Sequence, residues 1–406
     1  VLELKDFLEA REKLRGDIHI TNLDLSTTFS RMSGAQVYLK TENLQRTGSF
    51  KIRGAFNKIA SLGERDKQNG VIAASAGNHA QGVAYAAGRT GTKALIVMPE
   101  TAPLSKIAAT RSYGAEVALY GESYDDAYHK AREIQSRTGA VFIHAFDDPL
   151  VVAGQGTIGL EILEELPDVE VIFTPVGGGG LASGIAMAVK LQKPDVKIIG
   201  VEAQGAASYK NARQAGTICT LTSVRTIADG IAVKCPGELT FNLLNRYLDD
   251  VVTVDDEETA SIILLLLERA KLVVEGAGAV SLAAVLYNKY RVAGKKTAVV
   301  LSGGNIDVNF ISLIIEKGLV KTGRRIRLVT IMPDKPGNLQ AFLTVIARER
   351  GNIISINHDR TQVSLPVDQA LVETVIETQG PEHGKKITEA LGHKGFNVTA
   401  ETNELL

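Results

Sequence analysis

Cysteine is nearly missing from this chain: among 406 residues there are two, Cys219 and Cys235. No disulfide framework can be built from them, and a reducing, cytoplasmic setting is expected. An excess of one charge is missing as well. Lys and Arg number 45 and Asp and Glu 46, for a net charge of −1. That leaves no basic face for nucleic acid and no acidic solvating tail. Long apolar runs are also absent. The run 262–267 is far too short to span a bilayer, and the first residues, Val1-Leu-Glu-Leu-Lys-Asp, lack the apolar core of a signal peptide. No membrane partner is therefore expected. The seven histidines are scattered, with no HExxH and no paired Cys/His spacing, which excludes the common zinc patterns. Low-complexity tracts and short-period repeats do not occur.

The chain is too long for one ordinary core, so two or three domains are expected. From about residue 35 to 315, short β-branched runs alternate with helical stretches. Segments 37–39, 70–74, 94–98, 116–119, 141–143, 171–176, 197–201, 250–254 and 297–301 read as strands. Most are continuous apolar runs, as strands covered on both faces require. Stretches 81–90, 105–113 and 125–139 read as helices between them. The class is α/β with mostly parallel sheets. The texture changes near residue 320. After a polar junction at 318–323 come a strand (325–332), a turn (334–337), a helix (339–350), two strands (352–361 and 369–378), a helix (382–391) and a strand (396–399). Leu339, Phe342, Leu343, Ile346 and Ala347 form an apolar stripe on the first of these helices. The β-α-β-β-α-β order is the ferredoxin-like α+β arrangement, a separate small domain over 325–406.

Four segments carry chemistry. In Thr47-Gly-Ser-Phe-Lys-Ile-Arg-Gly-Ala55, Lys51 stands at the start of a helix-like stretch. The partly positive helix N-terminus disfavours its charge and lowers its pKa, as an amine nucleophile needs. Taken alone, Lys51 reads as one more solvated lysine. Ala74-Ser-Ala-Gly-Asn-His-Ala-Gln-Gly82 follows a buried strand and opens a small-residue helix. Its amides and Asn78 suit an anion such as a carboxylate, and equally an ordinary junction with His79 packed inside. Thr174-Pro-Val-Gly-Gly-Gly-Gly-Leu181 leaves backbone N–H groups open to a phosphate. A dinucleotide is the rival, with Glu202 as the ribose acid, but Gly178-x-Gly180 is followed by Ser183 and the GxGxxG register fails. In Val299-Val-Leu-Ser-Gly-Gly-Asn-Ile306, Ser302 ends a strand where open α/β sheets hold ligands.

In this order and spacing, SFKIRGA, SAGNHAQG, PVGGGGL and SGGN resemble the tryptophan-synthase-β-type (fold type II) pyridoxal-phosphate enzymes, and more narrowly their threonine/serine dehydratase branch. Supporting segments are His144-Ala-Phe-Asp-Asp-Pro149, Gly154-Gln-Gly156, Thr226-Ile-Ala-Asp-Gly230 and Glu275-Gly-Ala-Gly-Ala279. The resemblance implies two open α/β subdomains within residues 1–320, the smaller, about 45–150, inserted in the larger, with the cofactor between them. It implies Lys51 as the Schiff-base lysine and α-proton base, Phe50 packed on the cofactor ring and Asn78 on its 3′-oxygen. The amides of Gly177, Gly178, Gly179, Gly180 and Leu181 would hold the phosphate, and Ser302 would face the ring nitrogen. Ser75, Ala76, Gly77, Asn78 and His79 would grip the substrate carboxylate. The implied reaction dehydrates and deaminates L-threonine, and L-serine beside it, to 2-oxobutanoate or pyruvate plus ammonium. Racemases of this family carry a serine where Ala76 stands, so little racemisation is expected. A cation site of relatives falls on Glu202, Ala206 and Ser208. Its carboxylate supply is thin for a divalent ion and leaves room for a monovalent ion or none.

The Asp334-Lys-Pro-Gly-Asn-Leu339 turn resembles the amino-acid-binding ACT domain, which implies a regulatory module with Asn338 at an amino-acid effector. A module serving only dimerisation is the alternative. A homodimer or homotetramer is expected. Rival readings are a serine dehydratase or racemase, a β-replacement enzyme of the same fold, and a non-catalytic amino-acid sensor.

Overall fold

A computed structural model describes residues 2–401 of the chain. It divides into two compact units, Val1–Ile306 and Asp307–Leu406. The division falls earlier than the polar junction at 318–323, because helix Val308–Lys321 groups with the second unit.

The first unit holds two sheets. The larger has six strands in the order Leu23–Leu25, Gln36–Lys40, Lys296–Val300, Val171–Pro175, Lys197–Ala203 and Asp250–Val254. All neighbours are parallel except the first pair. The smaller has four parallel strands, ordered Glu116–Leu119, Ala94–Met98, Val71–Ala74 and Val141–Phe142. Gln36–Lys40 pairs with Lys296–Val300, so the chain leaves the large sheet, builds the small one and returns. Each expected strand has its counterpart within two residues. Strand Leu23–Leu25 was not expected, for it is short and partly exposed and has no apolar run to mark it. The central strands are buried at every position, as at Val71–Ala74 and Val171–Pro175, which is why their sequences show no alternation. Helix Pro149–Glu165 is buried over most of its length and starts cleanly: the Asp148 carboxylate accepts from the Leu150 and Val151 amides, and Pro149 stands at the first helical position.

The second unit has a four-stranded antiparallel sheet, ordered Asn352–Asp359, Gln369–Glu377, Arg325–Pro333 and Val398–Glu401, with helices Asn338–Arg348 and Pro381–His393. This is the expected ferredoxin-like order. Its core gathers Leu328, Phe342, Ile346, Val372, Ile376, Ile387 and Leu391. The expected helical stripe is slightly rotated: Val345 is buried, whereas Ala347 faces solvent.

Candidate active site

The site forms where strands of both sheets end. Glycine loop 177–180 follows Val171–Pro175, Ser302 follows the neighbouring Lys296–Val300, and Ser75 follows Val71–Ala74 in the small sheet. These are C-terminal strand ends, where α/β sheets leave a crevice.

Lys51 is the first residue of helix Lys51–Ala60. Its Nζ donates to the Ala145 carbonyl oxygen at 3.3 Å and lies 5.2 Å from the centre of the Phe50 ring. Burial lowers its pKa to about 8, against the opposing pull of Glu275. The direction matches the sequence reading, but the leading cause is lost solvation rather than the helix terminus. A chain of hydrogen bonds runs from this lysine's surroundings to the glycine loop. His144 Nδ1 accepts from the amides of Phe146 and Asp147, holding the turn that presents Ala145. Asp147 Oδ1 accepts from the Thr240 amide at 3.1 Å, and Thr240 Oγ1 donates to the Gly178 carbonyl at 2.7 Å.

The glycine loop opens helix Gly180–Lys190, and Gly179 has φ +91°. A Cβ on Gly178 would enter the Phe146 ring, and one on Gly180 would sit 2.9 Å from Phe146 Cα. Close packing thus requires glycine there, and the loop still ends at a helix N-terminus, a natural phosphate seat. Leu181 is buried one residue further on. Ser302 is buried. Its Oγ donates to the Ala277 carbonyl at 3.2 Å, and its own carbonyl accepts from the Phe50 amide at 3.1 Å. This ties the lysine segment to the serine.

Asn78 begins helix Asn78–Thr90. Its Nδ2 donates to Glu275 Oε1 at 2.6 Å, and its Oδ1 accepts from Asn305 Nδ2 at 2.8 Å. Ser75, Ala76 and Gly77 are half-buried, with Ser75 Oγ accepting from the Gly77 amide at 3.2 Å. His79 turns inward. Its Nε2 donates to the Ile143 carbonyl at 2.8 Å, and burial together with Lys51 drives its pKa down to about 3. It is therefore a neutral, packed histidine that offers its backbone rather than its ring. Lys106, on helix Leu104–Ser112, pairs with Asp229 at 3.0 Å, linking the small sheet's layer to the turn Asp229–Ile231.

Behind Lys51 lies a buried charge cluster. The Arg53 guanidinium meets Glu42 at 2.8 and 2.9 Å and Glu161 at 2.5 and 2.9 Å, and Lys40 Nζ meets Glu161 at 2.9 Å. Glu275, Asn305 and this cluster escaped the sequence reading as site residues, although Arg53, Glu275 and Asn305 all stand in the quoted segments.

Glu202, Ala206 and Ser208 lie apart from Lys51's contacts. The Glu202 carboxylate accepts from the Tyr209 and Lys210 amides at 2.8 Å each, capping helix Ser208–Ala215, and burial raises its pKa to about 7. Ala206 and Ser208 add no carboxylate, and among the described residues no group of three or more His, Cys, Asp or Glu side chains gathers as a metal site. In the second unit, Asn338 Nδ2 donates to the Pro333 carbonyl at 2.9 Å and lines a cavity of about 640 Å³ with Met332, Thr344, Arg348 and Phe396. No helix among the described residues is long and apolar enough to cross a membrane.

A poised amine, amides at a helix start, an amide side chain and a neutral hydroxyl form a donor set that suits an aldehyde, a phosphate, a ring oxygen and a ring nitrogen. Pyridoxal phosphate carries all four. Comparison with known proteins agrees. The family model described as "Pyridoxal-phosphate dependent enzyme" matches residues 14–303. The L-threonine ammonia-lyase of Thermotoga maritima is 52% identical over 398 residues, covering 98% of this chain and 99% of that protein. The catabolic L-threonine dehydratase of Escherichia coli K12 is 45% identical over 313 residues, covering 77% of this chain and 95% of that protein. Among solved structures, maize serine racemase superposes with a TM-score of 0.74 at 35% identity, covering 78% of this chain and 98% of that one.

Proposed function

Because this chain belongs to the pyridoxal-phosphate-dependent enzyme family, we propose that it is an L-threonine ammonia-lyase, converting L-threonine to 2-oxobutanoate and ammonium, with L-serine as a second substrate. The observation that carries this reading is Lys51: an amine with a pKa lowered to about 8, bonded to Ala145, whose neighbour Phe146 packs on the glycine loop, and following Phe50, whose amide is bonded to Ser302. Bound pyridoxal phosphate supplies a conjugated sink for the electrons released at the substrate α-carbon. Lys51 would hold the cofactor as its amine partner in the resting enzyme and would serve as the base at the substrate α-carbon. The loop amides of Gly177–Leu181 would hold the phosphate, and Phe50 would pack against the ring. Asn78 and the amides of Ser75–His79 would orient the ring oxygen and the substrate carboxylate. Ser302, whose O–H donates to the Ala277 carbonyl, would face the ring nitrogen with a hydroxyl rather than a carboxylate. Protonation of that nitrogen would not be enforced, which would favour loss of the β-hydroxyl together with the α-proton. Ala76 has no proton to deliver to the opposite face, which disfavours racemisation. Steady-state turnover of both amino acids, with 2-oxobutanoate and pyruvate measured, tests the assignment. Preference for L-threonine is expected, and a clear preference for L-serine contradicts it.

The Asn338 cavity supports a regulatory role for the second unit: it takes a small amino acid. Calorimetric titration with isoleucine, valine, serine and threonine tests this, and heat for none of them returns the unit to a purely architectural role. Allostery additionally requires that effector and substrate change each other's affinity.

A further inference from the structure

Glu275 has so far been only a neighbour. It is 4% exposed and precedes helix Gly276–Leu286, and its amide donates to the Gly303 carbonyl at 3.0 Å. Its carboxyl is boxed in by two glycines. A Cβ on Gly303 would run into Oε1, and one on Gly230 would lie 3.5 Å from it. Among the described residues no cation forms an ion pair with it. Burial and Asp229 raise its pKa to about 8, with Asn78, Lys106 and Lys51 pulling the other way, and a carboxyl so buried still needs its hydrogen bonds met. What the carboxyl does have is a short hydrogen bond, 2.6 Å, from Asn78 Nδ2.

The other end of the Asn78 amide is fixed too. Its Oδ1 accepts from Asn305 Nδ2, and the same Nδ2 donates to the Thr47 carbonyl at 2.8 Å. Since Thr47 offers an oxygen, Asn305 must present its nitrogen, and Asn78 must answer with its oxygen. Rotating the Asn78 amide by half a turn would set donor against donor at Asn305 and would give up the N–H donated to Glu275. An amide nitrogen has two N–H groups. Glu275 takes one, and no described residue accepts the second.

We propose that Glu275 is a positioning residue: it fixes the orientation of the Asn78 amide, so that the remaining N–H of Asn78 is delivered to the cofactor's ring oxygen. This rests on the reading that pyridoxal phosphate binds against Asn78. Removing the acceptor frees the amide to turn, weakening the hold on the cofactor and changing the electronic surroundings of its ring. Glutamine keeps an oxygen in the same place and serves in its stead.

The test compares wild type, Glu275→Ala, Glu275→Gln, Asn78→Ala and the Glu275→Ala/Asn78→Ala double variant, each loaded with pyridoxal phosphate without substrate. The readouts are the cofactor's dissociation constant and its visible absorption maximum. Glu275→Ala should weaken cofactor binding roughly tenfold and shift the band, the size of one lost hydrogen bond to a charged or polarised group. The double variant should be no worse than Asn78→Ala, and Glu275→Gln should restore both readouts. An unchanged band and affinity in folded Glu275→Ala, or losses that simply add in the double variant, overturns the proposal. If Glu275→Ala does not fold, Asn305→Ala frees the other end of the same amide and must shift the band likewise; an unshifted band there is equally contradictory. A wild-type chain that takes up no pyridoxal phosphate would instead remove the cofactor reading on which the proposal rests.

Discussion

Lys51 shows how a common residue acquires a particular reactivity. Most lysines stay charged to about pH 10, but burial brings this one down to about 8. The neutral amine is the form that attacks an aldehyde. Capture of pyridoxal phosphate by the apoenzyme should therefore accelerate as pH rises toward about 8 and level off above it, followed by stopped-flow absorbance. A rate still climbing near pH 10 would mean an ordinary lysine. Ala76 carries a second prediction at this scale. L-serine supplied in excess should yield pyruvate and no detectable D-serine by chiral chromatography; appreciable D-serine would mean another group donates on the opposite face. Lys51, Asn78 and Ser302 were legible because each stands in a short, distinctive segment. Glu275 and Asn305 were not, because what they do depends on contacts with Asn78 across 197 and 227 residues of chain. No local pattern encodes such pairings. For His79 the sequence left two alternatives, an anion-binding loop and a packed histidine, and the fold shows its ring packed and spent on Ile143.

The glycine loop and the helix behind Lys51 set the site's geometry. Alanine at Gly178 places a methyl group in the Phe146 ring. Overpacking of that kind costs about 1–3 kcal/mol, and Phe146 adjoins Ala145, the acceptor for Lys51. Gly178→Ala should lower both the thermal midpoint of the apoenzyme and its affinity for pyridoxal phosphate. An unaltered affinity would separate the loop from the cofactor. Helix Lys51–Ala60 is anchored by Arg53 between Glu42 and Glu161. Arg53→Leu leaves both carboxylates buried with only Lys40 to compensate Glu161, and breaking such a cluster costs about 3–5 kcal/mol. Denaturant unfolding measures it, and a loss under about 1 kcal/mol, as for an exposed pair, would show that the cluster is solvated. The strands were readable from their apolar runs because both faces are covered. Leu23–Leu25 was not, since an edge strand of three residues owes its existence to pairing with Gln36–Lys40.

On the scale of the whole molecule, the chain folds as two units with different logic. The first places the candidate site's segments, from distant parts of the sequence, at neighbouring strand ends. The second is a ferredoxin-like unit with its own core and its own cavity at Asn338. The class of each was readable from the alternation of strands and helices. The division between them was not, because the polar break before helix Val308–Lys321, Ser302-Gly-Gly-Asn-Ile-Asp307, belongs to a site segment and reads as that. The family match, residues 14–303, lies within the first unit. We accordingly place the proposed turnover in the first unit and the proposed effector response in the second. The claim on which the rest depends is that Lys51 carries the cofactor and the chemistry. The most direct measurement adds pyridoxal phosphate and L-threonine to wild type and to Lys51→Ala, recording the visible absorption band and 2-oxobutanoate together. Both should be present in wild type, and both should be lost in a folded Lys51→Ala protein. A Lys51→Ala protein that keeps the band of a lysine-bound cofactor, or that still forms 2-oxobutanoate at the wild-type rate, would contradict the account.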